Sequence, residues 1–289
     1  MIMCAEEEKM VLDLNLIKSN LVQGEDGIWR TDGTQPVSYP DEAHNAFFSL
    51  ENKSFWFRHR AKCIIQAIRN YPPEGMLLDV GGGNGYMTQV INAAGFDCAL
   101  VEPGEKGVRN AAKRGIKPLI CASLEEAGFS EHTIPAIGTF DVIEHIEDDA
   151  RFLSLLHQQL IPRGRLYLTV PAFDFLWSRE DEMGGHFRRY TLSKMRAKLF
   201  EAGFDVLYET YFFSFLPVPI YLFRALPTRL GMGPESTQER RSSIHAADNA
   251  KRSALVEKWF SWETQWIKRK KTLPLGGSCL VVASAREVT

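Results

Sequence analysis

The feature that most restricts the fold is a regular alternation of short apolar runs with helical stretches between residues 76 and 171. Met76–Val80, Cys98–Val101, Pro118–Cys121 and a run inside Ile134–Ile143 have the length and apolar character of buried strands, and Arg165–Val170, followed by Pro171, adds a fifth. Between them Tyr86–Ala94 stops at Gly95, Lys106–Arg114 stops at Gly115, and Asp148–Leu160 ends at Pro162-Arg163-Gly164, each with helical apolar spacing. Strands alternating with helices at this interval imply an α/β fold with a parallel sheet covered on both faces, and right-handed crossovers make it doubly wound. Further along, Thr191–Ala202 reads as a helix, Phe204–Phe213 as a sixth strand and Ser278–Ala285 as a seventh with no helix after it.

This pattern divides the chain. Residues 1–46 form an N-terminal extension in which Gly24, Gly27, Gly33, Pro36 and Pro40 punctuate short apolar pieces, with room for a hairpin. Residues 47–213 form the core, which opens with helical spacing from Phe47 to Asn70 and a stop at Tyr71-Pro72-Pro73. Residues 214–275 read as an insertion or lid between the sixth and seventh strands, and residues 276–289 as the final strand.

Composition removes several classes. A formal charge of −2 over 289 residues supplies no general field for nucleic acid, so no nucleic-acid partner is expected. Cys4, Cys63, Cys98, Cys121 and Cys279 are dispersed, with no C-x-x-C pair and no histidine read at ligand spacing, which suggests reduced thiols in a cytoplasmic protein and no metal. Met1–Met10 carries Glu6, Glu7 and Glu8 and does not read as a secretory signal. No run reaches the ~18 apolar residues of a spanning helix.

The chemistry concentrates after the first core strand, at Gly81-Gly82-Gly83-Asn84-Gly85. Glycines let a backbone approach a ligand closely, and the following helix offers free N–H groups. Glu102, 19 positions after Gly83, stands where a carboxylate accepts both hydroxyls of an adenosine ribose. Dinucleotide oxidoreductases share these two features, but their fingerprint requires a small residue where this chain has Tyr86. A P-loop would need Gly-Lys-Ser/Thr, which is absent from this turn. Asp79 just before the glycines would repel a pyrophosphate and suits a ligand bearing an amine, as S-adenosylmethionine does.

At these residues the sequence resembles the class I S-adenosylmethionine-dependent methyltransferases, in the small-molecule branch that includes ubiquinone-biosynthesis O-methyltransferases. The matching segments are Leu78–Gly85, Val101-Glu102-Pro103, Phe140–Ile146 and Leu160–Leu166, with Pro171–Thr191 similar to a bacterial subgroup. The resemblance implies a Rossmann-like sheet of seven strands, mostly parallel, with the last strand antiparallel. It also implies S-adenosylmethionine as cofactor, held by Asp79, Gly81, Gly83, Gly85, Tyr86, Glu102 and Phe140. Trp56 and Arg60 on the upstream helix would cover the site, Arg60 pairing with the methionine carboxylate. Many relatives carry an aspartate after the third strand; here Ser123 or a backbone group would meet the adenine.

Methyl transfer needs a base only when the acceptor must lose a proton, and His145 and His186 are the candidates. Glu144, Glu147, Asp148 and Asp149 read as helix-capping and dipole partners in preference to metal ligands. The apolar stretch Tyr211–Leu226, followed by Arg224, Arg229 and Lys268-Arg269-Lys270-Lys271, suits a hydrophobic lid, with a peripheral membrane contact as the second option. The expected activity is methyl transfer to a small-molecule acceptor, apolar or lipid-linked if that stretch faces the pocket. An NAD(P)-dependent oxidoreductase and a non-catalytic cofactor-binding homologue are the alternatives.

Overall fold

The structure is a computed structural model and describes residues 20–31, 48, 50–52, 54–231 and 254–287. Its strands are β1 (Val22–Gln23), β2 (Ile28–Arg30), β3 (Leu77–Val80), β4 (Cys98–Val101), β5 (Leu119–Cys121), β6 (Ile134–Phe140), β7 (Leu160–Pro171), β8 (Phe204–Phe212) and β9 (Ser278–Ala285). The longer helices are α1 (Phe55–Asn70), α2 (Tyr86–Ala93), α3 (Glu105–Lys113), α4 (Asp149–Gln159), α5 (Leu192–Glu201) and α6 (Ala254–Lys268).

The nine strands of the described residues join one sheet in the order β1-β2-β5-β4-β3-β6-β7-β9-β8. The block from β2 to β7 is parallel, whereas β9 lies antiparallel between β7 and β8. The doubly wound sheet with an antiparallel last strand is thus present, and two short strands extend it beyond the expected seven. Ile28–Arg30 pairs with Leu119–Cys121 across some ninety residues, a long-range contact that local periodicity does not encode. Strand β7 is also longer than the expected Arg165–Val170. It starts at Leu160 and absorbs a register shift opposite Ile134 and Ala136.

Alternate residues of the strands feed two cores. Leu78, Val80, Ile137, Leu168 and Val281 pack with Leu153 and Leu156 of α4 and Met195 and Leu199 of α5. Leu77, Tyr167, Leu280 and Val282 face the other way, against Ile64 and Ile68 of α1, Ile91 of α2 and Ile267 of α6. This is the period-two alternation of a strand buried on both sides. The order in which strands are added reverses at β3, which lies between β4 and β6, so the carboxyl ends of those parallel strands frame a crevice. Of the residues read as an insertion, 232–253 lie outside the described residues, as does most of the N-terminal extension. Within the remainder, α6 docks on α1, and no helix among the described residues is long and apolar enough to cross a membrane.

Candidate functional site

The glycine turn takes its shape from backbone angles. Gly81, Gly83 and Gly85 have φ of 74°, 55° and 76°, a region costly for residues with a Cβ. Gly82 is required for a different reason, since a Cβ there would lie 2.2 Å from Leu100 Cδ1 and 2.8 Å from Asp79 Oδ2. At Gly83 a Cβ would meet no described residue within 4 Å. Gly85 caps α2 without a side-chain acceptor, which leaves the first helical N–H groups to other partners.

Asn84 is fastened from behind. Its Nδ2 donates to Glu51 Oε1 at 3.0 Å, its Oδ1 accepts from Asn110 Nδ2 at 3.0 Å, and its carbonyl accepts from Arg114 Nε at 2.9 Å. Arg114 closes the ring on Glu51 at 2.5 Å. Sequence reasoning missed this buried network, because Glu51 and Arg114 lie 33 and 30 residues from Asn84 with no motif linking them.

Two buried acids face the turn. Asp79 is 1% exposed; its Oδ2 accepts from Thr88 Oγ1 at 2.6 Å, while Oδ1 is buried with no partner among the described residues. Burial pushes its carboxyl up to about 6, against the opposing effects of Thr88 and Arg60. Glu102 accepts from the backbone N–H of Gly83 at 2.9 Å and of Gly104 at 2.8 Å, and burial lifts it to about 7. An orphaned buried carboxylate oxygen is costly unless a donor arrives.

From α1, Arg60 reaches the end of β6. Its Nη2 donates to the Phe140 carbonyl at 2.7 Å, and its Nε lies 2.7 Å from Asp141 Oδ2 as an ion pair too bent for a hydrogen bond. Asp141 adopts φ 59° and is held by Thr169, whose Oγ1 donates to Oδ1 at 3.0 Å. Trp56 stacks on Phe213 at 5.5 Å and carries the Arg60 guanidinium over its ring. Tyr86 is buried at the start of α2, beside Phe57. Ser123 stands apart from this group. Its Oγ accepts from Glu126 N and donates to Glu126 Oε2, and its N–H bonds the same carboxylate, so its polar atoms serve a capping box.

Beyond β6 the two candidate histidines come together, with ring centroids 4.7 Å apart and edge to face. His145 is pushed down to about 4 by burial and by His186. His186 Nδ1 lies 2.9 Å from Asp181 Oδ1. The arginines of this loop are anchors. Arg189 pairs with Asp181, and Arg188 donates to the Ile146 and Glu147 carbonyls.

The acids following β6 divide their work. Asp148 caps α4 by accepting from Arg151 N, and Asp149 bonds Lys198 and Tyr190. Glu144 departs from the capping expectation: it is 1% exposed, its Oε2 has no partner among the described residues, and burial with Asp141 nearby raises it well above the carboxylate range. Ligand atoms of Glu144, His145 and His186 lie within 4.8 Å of one another, a spacing that could hold a metal ion. A second such group corrects the cysteine reading. His59 sits one helical turn before Cys63, 3.5 Å from its Sγ, and both adjoin the buried Glu263 of α6.

The residues fit an amine-bearing nucleoside ligand: an orphaned acceptor at Asp79, a glycine cradle at Gly83, and Glu102 across the turn. Comparisons agree. The model of the methyltransferase-domain family matches residues 56–209, more than half of the chain. A probable S-adenosylmethionine-dependent methyltransferase of Mycobacterium tuberculosis is 25% identical over 158 residues, 54% of this chain and 57% of the relative. The human mitochondrial ubiquinone biosynthesis O-methyltransferase is 27% identical over 121 residues, 37% of this chain and 33% of its own. The chain thus spans little more than half the length of the first of these relatives. Among solved structures, Haemonchus contortus phosphoethanolamine N-methyltransferase 2 in complex with S-adenosyl-L-methionine superposes with a TM-score of 0.52 at 16% identity, over 87% of this chain and 58% of that one. None of these supports the oxidoreductase alternative. The chain belongs to the methyltransferase-domain family.

Proposed function

We propose that the enzyme methylates a small apolar molecule through a hydroxyl group, at the carboxyl ends of β6 and β7. The observation that carries this reading is the meeting of His145, just after β6, with His186 of the loop after β7, together with an aromatic series that begins just after β7. Phe173 stacks on Tyr211 at 4.7 Å and adjoins Phe175, which meets Tyr221. Such walls favour a flat or lipid-like acceptor, and a neutral imidazole can take its proton.

Bound at the glycine turn, the cofactor supplies an activated methyl group on a sulfonium. In this reading Asp79 Oδ1 accepts from its ammonium, Glu102 accepts from the ribose, and Gly81, Gly83 and Gly85 bring the backbone close. Arg60 and Trp56 close the methionine end, with Tyr86 and Phe140 as flanking walls. Ser123 is left out, because its polar atoms are committed to Glu126. Holding donor and acceptor in line is worth about 7–11 kcal/mol of barrier, so orientation is the main task of these residues.

A lipid-linked acceptor is the version favoured by one part of the surface. Val218, Leu222 and Phe223 are exposed on the helical segment after β8, as are Trp259 and Trp262 on α6, with Lys268-Arg269-Lys270-Lys271 at its end. These are the ingredients of an interfacial contact with anionic lipid.

Calorimetry with S-adenosylhomocysteine tests the donor side: wild type binds and Asp79→Ala does not. Labelled methyl transfer to a panel of phenols and long-chain hydroxy compounds tests the acceptor, with sedimentation on anionic vesicles alongside. Transfer to amines or peptides alone would overturn the acceptor reading.

A further inference from the structure

Asp181 is 1% exposed and lies in the short helix Arg179–Gly184, outside every segment that met the cofactor reading. Part of its bonding is structural, since Oδ2 accepts from Ser178 N at 2.8 Å and from Arg189 Nη2 at 3.0 Å. Its Oδ1 accepts from Arg189 Nε at 2.8 Å and has a second partner. It meets His186 Nδ1 at 2.9 Å, on a loop that is itself pinned to the catalytic side by Phe187 N donating to the Glu144 carbonyl at 2.7 Å.

We infer that Asp181 is a positioning residue that fixes the proton of His186 on Nδ1, so that Nε2 is the base for the acceptor hydroxyl. An ionised carboxylate beside Nδ1 can only accept, so the neutral ring keeps its hydrogen there and Nε2 carries the free lone pair. The His186, Arg189 and Ser178 donors hold the Asp181 carboxyl down to about 2 against its burial, so it stays charged. The neighbouring histidine is poorly suited. His145 is driven down to about 4, and its protonated form leans on the Gly184 and Gly185 backbone. The inference rests on the proposed hydroxyl acceptor. In the step, the acceptor oxygen forms its bond to the methyl carbon while the sulfur–carbon bond breaks and that electron pair returns to sulfur. The hydroxyl proton passes to His186 Nε2, and the imidazolium then releases it to solvent. A base placed this way is worth about a hundredfold to ten-thousandfold.

Nitrogen-15 NMR of histidine-labelled protein tests the tautomer without any acceptor. Wild type is expected to show His186 protonated at Nδ1 at neutral pH, and Asp181→Asn to lose that preference. In turnover, Asp181→Asn is expected to lower kcat at least a hundredfold while S-adenosylhomocysteine affinity stays within twofold. The double variant Asp181→Asn/His186→Gln should be no slower than His186→Gln, because both remove one base. If Asp181→Asn does not fold, His186→Gln carries the test with the same expected loss. A wild-type His186 protonated at Nε2, or undiminished kcat in His186→Gln, would overturn the inference. So would turnover abolished by chelator and restored by a divalent cation, since Glu144, His145 and His186 would then be ligands. Failure of the acceptor reading shows separately, as wild type idle on every hydroxyl compound with the tautomer still measurable.

Discussion

At the scale of single residues, the glycine turn separates two demands that a motif match merges. Gly82→Ala drives a methyl group into Leu100 and Asp79, an overpacking that costs about 1–3 kcal/mol and should show as a lower urea midpoint. Gly83→Ala meets no atom of the described residues, so its stability cost is about 1–2 kcal/mol from a positive φ. Its methyl would instead fill the space left for the ligand, and S-adenosylhomocysteine binding should be lost while the fold survives. Asp79 adds a pH signature. With its carboxyl raised to about 6 by burial, the ligand-free protein carries it neutral below that pH, so affinity for the ammonium-bearing ligand should fall about tenfold per unit as pH drops below 6. The stability of the ligand-free protein has the opposite slope. A raised carboxyl favours the folded state fully below its unfolded value near 3.8, and that contribution is lost as pH rises through about 6. Asp79 and Glu102 were legible because their spacing from the glycines is local. Asn84 was not, because its meaning depends on Glu51 and Arg114 arriving from other elements.

Among elements, α1 carries most of what the sequence left unread. Two of its polar side chains are interior: Arg60 serves the end of β6, and His59 pairs with Glu263 of α6. Glu263 is fully buried and also accepts from the N–H groups of Phe213 and Ser214, so one carboxylate ties α1, α6 and the turn after β8. A glutamate in a tryptophan-rich helix reads as surface, since amphipathic spacing reports which face is apolar and not which polar group crosses it. Glu263→Ala would leave His59 and two backbone donors buried without an acceptor. Breaking a buried pair by removing one partner costs about 3–5 kcal/mol, and chemical denaturation should show a loss of that size. An unchanged midpoint would mean that α6 contributes little to the stability of α1. The same helix presents Trp259 and Trp262 outward, so its two faces do separate jobs.

For the whole molecule, the order of elements was legible and the order of strands was legible only in part. Periodicity marks where strands and helices lie, and right-handed crossovers wind them, but the pairing of β2 beside β5 depends on an edge that only the folded sheet presents. The sheet nevertheless creates a consequence that a single measurement can read. Asp79 and Glu102 are buried acids at the ends of adjacent strands, and burial disfavours the ionised form of each. A ligand that donates to both relieves that cost and binds only the folded chain, so its binding energy appears as global stability. At a concentration one hundred times Kd the gain is about 2.7 kcal/mol. For a chain of this size each kcal/mol raises Tm by about 2–4 °C, so S-adenosylhomocysteine should shift the melting transition by about 5–10 °C. NAD at equal concentration should leave it unmoved, because its pyrophosphate would approach Asp79 and the like charges repel. A shift with NAD and none with S-adenosylhomocysteine would mean that the crevice between β3, β4 and β6 serves another ligand.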